Sequence, residues 1–366
     1  MKRYTGIGTM SGTSMDGLDL VACTFEIDGD QYSFSVDHAQ TVPFDEKWHA
    51  RLYHLRDQSA EVYAKTNVYF GHWLGETIQS FIREFDISPD FAAIHGQTIF
   101  HQPNLNFTSQ IGDGETVASY LPCPLVSNFR NKDIALGGQG APLISLGEKY
   151  LFPDYPLFLN LGGFSNVTFG SIAFDLTPVN IVLNYLWSQR EQVTEVQFDE
   201  DGDFARKGSF IEPLFDALNE LPYYHQAPPK SLGWEWVQEE VLPLLNHYPA
   251  NLEDRMHTFT HHVVFQIARG LEQIQAEGHS MLVTGGGGHN GFLMELLQNS
   301  LQPLQITISQ DAPKQWVDFK EAIVFAFLGL RTLEGKTTTI QGVTGASQAS
   351  VTGSIHLPPN GGYSLL

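Results

Sequence analysis

Residues Gly6–Gly17 read GIGTMSGTSMDG, so four glycines, four hydroxyl side chains and one carboxylate share twelve positions. The following residues, Leu18–Phe25, are mostly apolar and suit a strand, so the pattern predicts a glycine turn between two strands. Such a turn lets backbone amides converge on a phosphate. No Gly-Lys-Ser/Thr follows, which excludes a P-loop, and a dinucleotide-binding fingerprint would open a helix rather than a strand. We therefore predict a hairpin with an anion-binding tip.

A second strand–glycine–strand pattern, Leu157–Phe169 with its turn at Gly162–Gly163, repeats this arrangement. Apolar residues at helical spacing predict a helix over 60–84 and another over 256–276. Alternating strands and helices indicate an α/β protein, and the doubled hairpin predicts two similar lobes. We expect one lobe from residues 1–130 plus about 340–366, and the other from residues 131–339.

The charge balance excludes several function classes. The 366 residues include 20 Lys and Arg against 41 Asp and Glu, a net charge of −21. Nucleic acids and anionic membranes bind basic surfaces, so neither is an expected partner. No apolar run approaches the roughly 20 residues of a membrane span, and the N-terminus lacks the apolar stretch of a signal peptide. Cys23 and Cys123 are too few for a disulfide framework, so we expect free thiols in a cytoplasmic protein.

Two further motifs are typical of ligand sites at the ends of strands. Thr284–Asn290, TGGGGHN, follows an apolar strand, and its glycines would let a purine or ribose lie flat on the backbone. The same glycines would also allow tight packing between a strand and a helix. Asp175 is predicted to end a strand, where a carboxylate can serve as a general base or hold a metal-bound water. By itself, such an Asp is more often a turn cap.

Two other stretches raise the question of a metal. His257 and His261 stand four residues apart on a predicted helix, but the Glu of a zinc-protease motif is missing. We expect them, with His262, to be surface or partly buried histidines. Residues Phe198–Asp203, FDEDGD, lack the closing Glu of a calcium loop and are predicted to form a solvated acidic loop over a cleft.

The ordered set of motifs resembles the anhydro-N-acetylmuramic acid kinases, and the resemblance covers essentially the whole chain. The motifs that carry it are Gly8–Asp19, His95–Thr98, Gln110–Gly112, Gly137–Leu143, Asn160–Val167, Phe174–Asp175, Lys230–Ser231, Gly285–Gly288, Glu321–Ala322 and Val343–Ala346.

This resemblance implies an actin/hexokinase-like (ribonuclease H-like) fold of two lobes with a nucleotide cleft between them. It implies Asp175 as the catalytic base and Glu321 as a second carboxylate at the sugar. Residues implied to bind ATP are Ser11, Gly12, Thr13, Ser14, Met15, Asp16, Gly17, Leu18, Gly162, Gly163, Gly285, Gly286, Gly287 and Asn290. Residues implied on the sugar side are His95, Gln97, Arg130 and Asp133. Asp16 would lie close to Mg²⁺ carried by the ATP phosphates.

The implied reaction is hydrolytic opening of 1,6-anhydro-N-acetylmuramic acid with phosphorylation of O6, in peptidoglycan recycling. The partners would be this amino sugar and ATP, and a homodimer is possible. The chain departs from the common family pattern at Asn128, Ser145, Gly147, Glu148, Thr177, Val179, Asn184 and Trp234. These departures keep two alternatives open: a kinase for a different amino sugar, and a nucleotide-gated binding protein without chemistry. A metal hydrolase is disfavoured because no ligand set has suitable spacing.

Overall fold

The computed structural model describes residues 1–12, 15, 17–190, 198–228, 230–309 and 311–360. The chain divides into two compact units, the first formed by Met1–Pro153 with Phe319–Leu366 and the second by Asp154–Asp318. Within the described ranges, no helix combines the length and apolar character needed to cross a membrane.

The described residues form twelve strands. They are β1 Lys2–Ser11, β2 Gly17–Asp28, β3 Gln31–Pro43, β4 Phe91–Gln102, β5 Phe107–Ile111, β6 Leu125–Ser127, β7 Leu157–Leu161, β8 Phe164–Phe169, β9 Ile172–Pro178, β10 Ser280–Thr284, β11 Thr307–Ile308 and β12 Ser354–His356.

The same residues form fourteen α-helices. They are α1 Glu46–His54, α2 Ala60–Glu84, α3 Gly114–Ala118, α4 Asn131–Ala135, α5 Ile144–Leu151, α6 Asn180–Trp187, α7 Asp203–Arg206, α8 Glu212–Asn219, α9 Trp234–Trp236, α10 Leu242–His247, α11 Leu252–Gln273, α12 Gly291–Leu301, α13 Lys314–Leu333 and α14 Gln341–Thr344. Short 3₁₀ turns include Glu200–Gly202, Pro222–His225 and Gly286–His289.

The first unit is built on a seven-stranded mixed sheet in the order β12-β6-β4-β1-β2-β3, with β5 paired to β4. β1 and β2 form the predicted hairpin, in register Thr5 to Thr24, and β1 runs parallel to β4. The long helix α2 covers one side of the core: Ser59 caps it by accepting the Val62 N–H at 3.3 Å, and an apolar stripe faces inward. Its predicted bounds, residues 60–84, are confirmed.

The second unit contains a five-stranded sheet in the order β11-β10-β7-β8-β9. β7, β8 and β9 are antiparallel neighbours, whereas β10 runs parallel to β7. The predicted strand–glycine–strand pattern is therefore the β7–β8 hairpin. The amphipathic helix α11 packs against β9, and the prediction of an α/β protein is confirmed in both units.

The boundaries of the units differ from the predicted lobes. Residues 131–153 and 319–339, which we expected in the second lobe, belong to the first unit. The reason is close helix packing on the first sheet: a Cβ on Gly8 of β1 would lie 2.1 Å from the Ala322 carbonyl oxygen of α13. Likewise, a Cβ on Gly147 of α5 would lie 2.5 Å from Val324. Only glycine allows backbones to approach this closely, so both helices are tied to that unit.

Candidate active site

The glycine hairpin carries the candidate phosphate contacts of the first unit. Ser11, the last residue of β1, is buried and donates a hydrogen bond from its hydroxyl to the Gln97 side-chain oxygen. Gln97 Nε2 in turn donates to the Gly12 carbonyl at 3.2 Å. Gln97, which was predicted for the sugar side, therefore stabilises the end of β1 next to the glycine turn. Met15 has a φ of 55°, and Leu18 is buried in the core of the first unit.

Three of the predicted hairpin residues, Thr13, Ser14 and Asp16, lie outside the described residues. The His95–Thr98 motif is part of the sheet, because β4 runs from Phe91 through it to Gln102. Parallel pairing of β1 with β4 therefore brings Ser11 opposite Gln97, which the sequence order alone does not reveal.

Buried His95 and partly buried Arg130 form a hydrogen-bonded pair. Arg130 donates to His95 Nε2 from Nε at 3.1 Å and from Nη2 at 2.9 Å. His95 Nε2 is therefore an acceptor, and Nδ1 carries the hydrogen, which it donates to the Gly96 carbonyl at 2.8 Å. Burial, together with the positive charge of Arg130, holds the pKa of His95 well below its usual value. His95 is thus a neutral, fixed ring.

Asp133 organises backbone and does not present a free carboxylate. Its Oδ2 accepts the Gly140 N–H at 2.7 Å, and its Oδ1 accepts the Thr344 hydroxyl at 2.7 Å. Arg130 Nη1 donates to the Gly140 carbonyl at 2.6 Å, so the Gly137–Gly140 loop is held from two sides. Asp133 therefore holds the Gly137–Gly140 loop in place, and its role on the sugar side stays a prediction.

Glu321 lies on α13 among other charged groups. Burial raises the pKa of its carboxyl and the Glu148 carboxylate adds to that effect, whereas Lys320 and Arg130 oppose it. Lys320 Nζ donates to Glu148 Oε1 at 2.6 Å, and each of these two side chains is only 1% exposed. Glu148, a position where the chain departs from the family pattern, thus forms a buried ion pair beside the predicted sugar carboxylate.

Asp175 is the predicted catalytic base of the second unit. It lies inside β9 and not at the strand's end, because β9 continues through Leu176 and Thr177 to Pro178. Its Oδ2 accepts the Leu232 N–H at 2.9 Å, and its backbone N–H donates to the Lys230 carbonyl at 3.1 Å. Burial raises the pKa of Asp175 to about 6, while the hydrogen bond from Leu232 opposes that rise.

The residues that frame Asp175 were not assigned roles from the sequence. Tyr223 donates its hydroxyl to the Asp175 carbonyl at 2.6 Å, and Lys230 donates from Nζ to the Tyr223 carbonyl at 3.1 Å. Lys230 Nζ also lies 4.5 Å from the centre of the Tyr223 ring. The Lys230–Ser231 motif was visible in the sequence, but only the tertiary structure brings it against β9.

Each glycine turn of the second unit has its own packing role. The Gly163 carbonyl accepts the Val179 N–H at 2.8 Å, which fixes the β7–β8 turn to the start of α6. Gly285 has a φ of 87°, and a Cβ there would lie 2.6 Å from Asn160 Oδ1. At Gly286 the nearest atom to such a Cβ is 3.8 Å away. Gly285 therefore serves packing on β7, whereas Gly286 leaves open space.

Neighbouring polar groups near α12 serve as caps. Asn290 Oδ1 accepts the Leu293 N–H at 3.0 Å, and Asp201 Oδ1 accepts the Gly291 N–H at 2.9 Å. Asp199 accepts the N–H groups of Phe204 and Ala205, each at 2.9 Å. The expectation of a merely solvated acidic loop is therefore corrected, because two of its carboxylates hold helix N-termini.

In the part of the chain that the structure describes, no group of three His, Cys, Asp or Glu side chains is arranged for a metal. His257 and His261 lie with ring centres 4.7 Å apart, and His257 Nδ1 is 3.0 Å from the Ala205 carbonyl. His262 is fully buried and 2.9 Å from the Tyr224 hydroxyl, and burial lowers its pKa to about 3. Cys23 and Cys123 are buried free thiols, as predicted.

Two α/β units with glycine hairpins, and two carboxyls of raised pKa, Asp175 and Glu321, are compatible with a phosphotransferase. The chain belongs to the anhydro-N-acetylmuramic acid kinase family: the family profile of that description matches residues 2–358. The resemblance read from the motifs is thereby confirmed.

Curated relatives carry the same description. The protein of Coxiella burnetii (strain RSA 493 / Nine Mile phase I) is 33% identical over 372 aligned positions, which cover 97% of this chain and 97% of the relative. That of Shewanella baltica is 34% identical and covers 96% of this chain and 98% of the relative. Among solved structures, ROK hexokinase from Thermus thermophilus covers 89% of this chain and 99% of its own at 12% identity, with a TM-score of 0.36. A score this low carries no argument, and the nucleotide cleft between lobes stays a prediction.

Proposed function

We propose that this chain is an ATP-dependent kinase that opens 1,6-anhydro-N-acetylmuramic acid and phosphorylates O6 in peptidoglycan recycling. The products are N-acetylmuramic acid 6-phosphate and ADP. The observation that carries the proposal is family membership across residues 2–358, together with a partly buried Asp175 whose pKa of about 6 suits a base near neutral pH.

In this mechanism Asp175 removes a proton from a water molecule, and the water oxygen attacks the anomeric carbon. The bond from C1 to O6 breaks, and O6 takes the γ-phosphoryl group of ATP. The Leu232 N–H occupies Asp175 Oδ2, and no partner of Oδ1 is found among the described residues, so Oδ1 is the oxygen available to water. A placed general base contributes roughly 10²–10⁴ in rate.

The sugar side is assigned to the first unit. Glu321 would receive a sugar hydroxyl, and its raised pKa suits a carboxyl that can hold or release a proton. Arg130 keeps a positive charge beside it, since burial lowers the pKa of that guanidinium only to about 10. His95, held neutral by burial and by Arg130, would offer shape and no charge.

The nucleotide is assigned to the glycine turns. Backbone amides of the Ser11–Leu18 hairpin would bind phosphate oxygens, and the open space at Gly286 would admit the flat face of a base or ribose. Gly162, Gly163, Gly287 and Asn290 would shape this surface from behind, because their contacts are to the protein itself.

Magnesium would enter with ATP. No protein cage of three or more acidic, histidine or cysteine side chains is present within the described ranges, which fits an ion held mainly by phosphates. Asp16 would hold it from the protein side. When bound, Mg²⁺ neutralises phosphate charge. A chain of net charge −21 has little positive charge of its own for this purpose.

Two departures in the second unit have packing explanations that leave the reaction unchanged. The Thr177 hydroxyl, where the family pattern has glycine, lies 2.9 Å from the Tyr224 hydroxyl, and Val179 is fully buried with a φ of −128°. Neither position needs the left-handed backbone that favours glycine. A changed substrate is therefore not required to account for them.

The testing experiment follows ADP release with Mg·ATP and 1,6-anhydro-N-acetylmuramic acid in labelled water. Wild-type product should contain one oxygen from water and a 6-phosphate, both read by mass spectrometry. Asp175→Asn should lower kcat about 10²–10⁴-fold while ATP binding is retained. Asp216→Asn, at an exposed carboxylate on α8, is the matched control and should keep full activity.

Three results would count against the proposal, and two of them would favour one of its alternatives. Equal turnover in Asp175→Asn removes the assigned base. Turnover of another amino sugar in place of the anhydro sugar favours the alternative kinase, and nucleotide binding without any sugar-stimulated ADP release favours the binding protein. The homodimer prediction is tested separately by sedimentation of the purified chain.

A further inference from the structure

The first unit contains a polar cavity of about 260 Å³, and one of the residues that line it is His95, proposed above for the sugar side. It lies among β4, β5, β6 and β12, close to the starts of α3 and α4. Most of its lining consists of amide, hydroxyl and imidazole groups. The lining side chains that bear on the argument are His95, Asp113, Ser127, Asn128, Ser354 and His356.

The side chains around this cavity differ in whether they can meet a charged ligand. Asp113 Oδ1 is engaged at the start of α3, where it accepts the Thr116 N–H at 2.9 Å and the Thr116 hydroxyl at 2.6 Å. Asn128 contributes a neutral amide where the related kinases commonly have Asp. Among the described lining residues, the side chains able to carry a positive charge are His95 and His356, and burial together with Arg130 holds His95 neutral.

His356 is fixed at both ring nitrogens. Its Nδ1 lies 2.8 Å from Glu115 Oε1, and its Nε2 lies 2.8 Å from the Ser127 hydroxyl oxygen. A carboxylate only accepts, so Nδ1 carries a hydrogen whether the ring is neutral or charged. A Cβ on Gly114 would lie 2.2 Å from His356 Nε2, so the ring occupies its place only because residue 114 is glycine.

The Ser127 hydroxyl consequently has two states. When His356 is neutral, Nε2 accepts and the Ser127 hydrogen is committed to it. When His356 is protonated, Nε2 donates to Ser127, and the hydroxyl hydrogen is free to point into the cavity. An anion in the cavity would favour the second state, since it gains both the freed donor and the nearby positive charge.

We infer that this cavity binds the carboxylate arm of the substrate, the lactyl ether that distinguishes muramic acid from glucosamine, through Ser127 and a protonated His356. This inference rests on the proposed function for the identity of the sugar. Binding of the carboxylate is then coupled to uptake of a proton by His356. The other titratable groups that face this site are Glu115 and Asp113 from α3 and His95 from β4; Ser127 on β6 does not titrate in this range.

Calorimetry of the full chain tests the inference with two sugars. 1,6-Anhydro-N-acetylmuramic acid carries the lactyl carboxylate, and 1,6-anhydro-N-acetylglucosamine lacks it. Each titration is run near neutral pH in two buffers of different ionisation enthalpy, so that proton uptake appears as a buffer-dependent heat. The wild-type chain should bind the acidic sugar more tightly and with proton uptake, and the neutral sugar without it.

His356→Gln keeps a hydrogen-bonding side chain but cannot become positively charged. It should weaken binding of the acidic sugar by about tenfold to a hundredfold, remove the buffer-dependent heat, and leave binding of the neutral sugar unchanged. Ser127→Ala, which keeps the imidazole, should produce the same selective loss. A thermal melt of each variant shows that the fold is intact.

The inference is overturned if the wild-type chain does not prefer the acidic sugar, or if either variant weakens both sugars equally, which indicates a structural role. Turnover is measured in parallel. Selective binding that depends on His356 in a chain that does not phosphorylate the sugar would refute the proposed reaction and leave the carboxylate site standing. Turnover of both sugars with equal efficiency and equal affinity would support the proposed reaction and refute the carboxylate site.

Discussion

The raised pKa of Asp175 makes a quantitative prediction about stability. The folded chain holds the Asp175 proton up to about pH 6, whereas an unfolded Asp releases it near pH 3.8. The folded state therefore binds the proton more tightly, and this contribution to stability is complete below pH 3.8 and lost as the pH rises through about 6. Above that range, the native protein holds a carboxylate that the burial disfavours.

The size of the effect follows from the two pKa values. A difference of about two pH units at about 1.4 kcal/mol each amounts to about 3 kcal/mol. Linkage gives a destabilisation of about 1.6 kcal/mol at pH 5 and about 3 kcal/mol at pH 8. Asp175→Asn has no titrating group, and its side-chain oxygen can still accept the Leu232 N–H. The variant should therefore gain stability relative to wild type by about 1.4 kcal/mol more at pH 8 than at pH 5.

Urea unfolding at several pH values between 5 and 8 measures this gap, with Asp216→Asn as the control whose difference from wild type should be small and constant. A gap for Asp175→Asn that does not change with pH would refute the reasoning, because burial would then not be the cause. The same pKa predicts that wild-type kcat/KM falls about tenfold per pH unit below about 6, as the base becomes protonated.

Two further substitutions test the packing around the site. Lys320→Met leaves the Glu148 carboxylate buried without its partner and should destabilise the chain by about 3–5 kcal/mol; the double change with Glu148→Leu should recover most of this loss in urea unfolding, and no recovery would contradict the pairing. Gly285→Ala meets Asn160 at 2.6 Å with a φ of 87° and should lower the melting temperature, whereas Gly286→Ala should fold normally and weaken ATP binding, measured by calorimetry. Unchanged ATP affinity in Gly286→Ala would remove the nucleotide from that turn.

Local patterns predicted the elements well where local forces dominate. The helix over residues 60–84 is set by its Ser59 cap and by an apolar stripe, both visible in the sequence. The apolar strand predicted before the glycines of Thr284–Asn290 is also present, at Ser280–Thr284. The unit boundaries were missed because they depend on which sheet a helix covers, and the sequence contains no linker that marks the change.

In the candidate site, too, the sequence identified individual residues but not the contacts between them. Hydroxyls and glycines in one short stretch were enough to single out the hairpin. Asp175 was chosen because it was predicted to end a strand, whereas it lies inside β9. The sequence did not show that both carboxylate oxygens of Asp133 would accept hydrogen bonds, from Gly140 and Thr344. Nor did it show that Tyr223 would donate a hydrogen bond to the Asp175 carbonyl. These contacts join residues far apart in the chain, and their partners are fixed only when the sheets and helices pack.

By itself, the sequence determined the α/β class, the two glycine hairpins, the family and the identity of the chemical groups, because these follow from local periodicity and from ordered motifs. Only the tertiary structure decided what state those groups are in. Burial and neighbours brought together by folding make His95 neutral and raise the pKa of Asp175. Folding also brings Glu115 and Ser127 to the two ring nitrogens of His356. Desolvation and hydrogen bonding act across space, and the order of residues does not specify them.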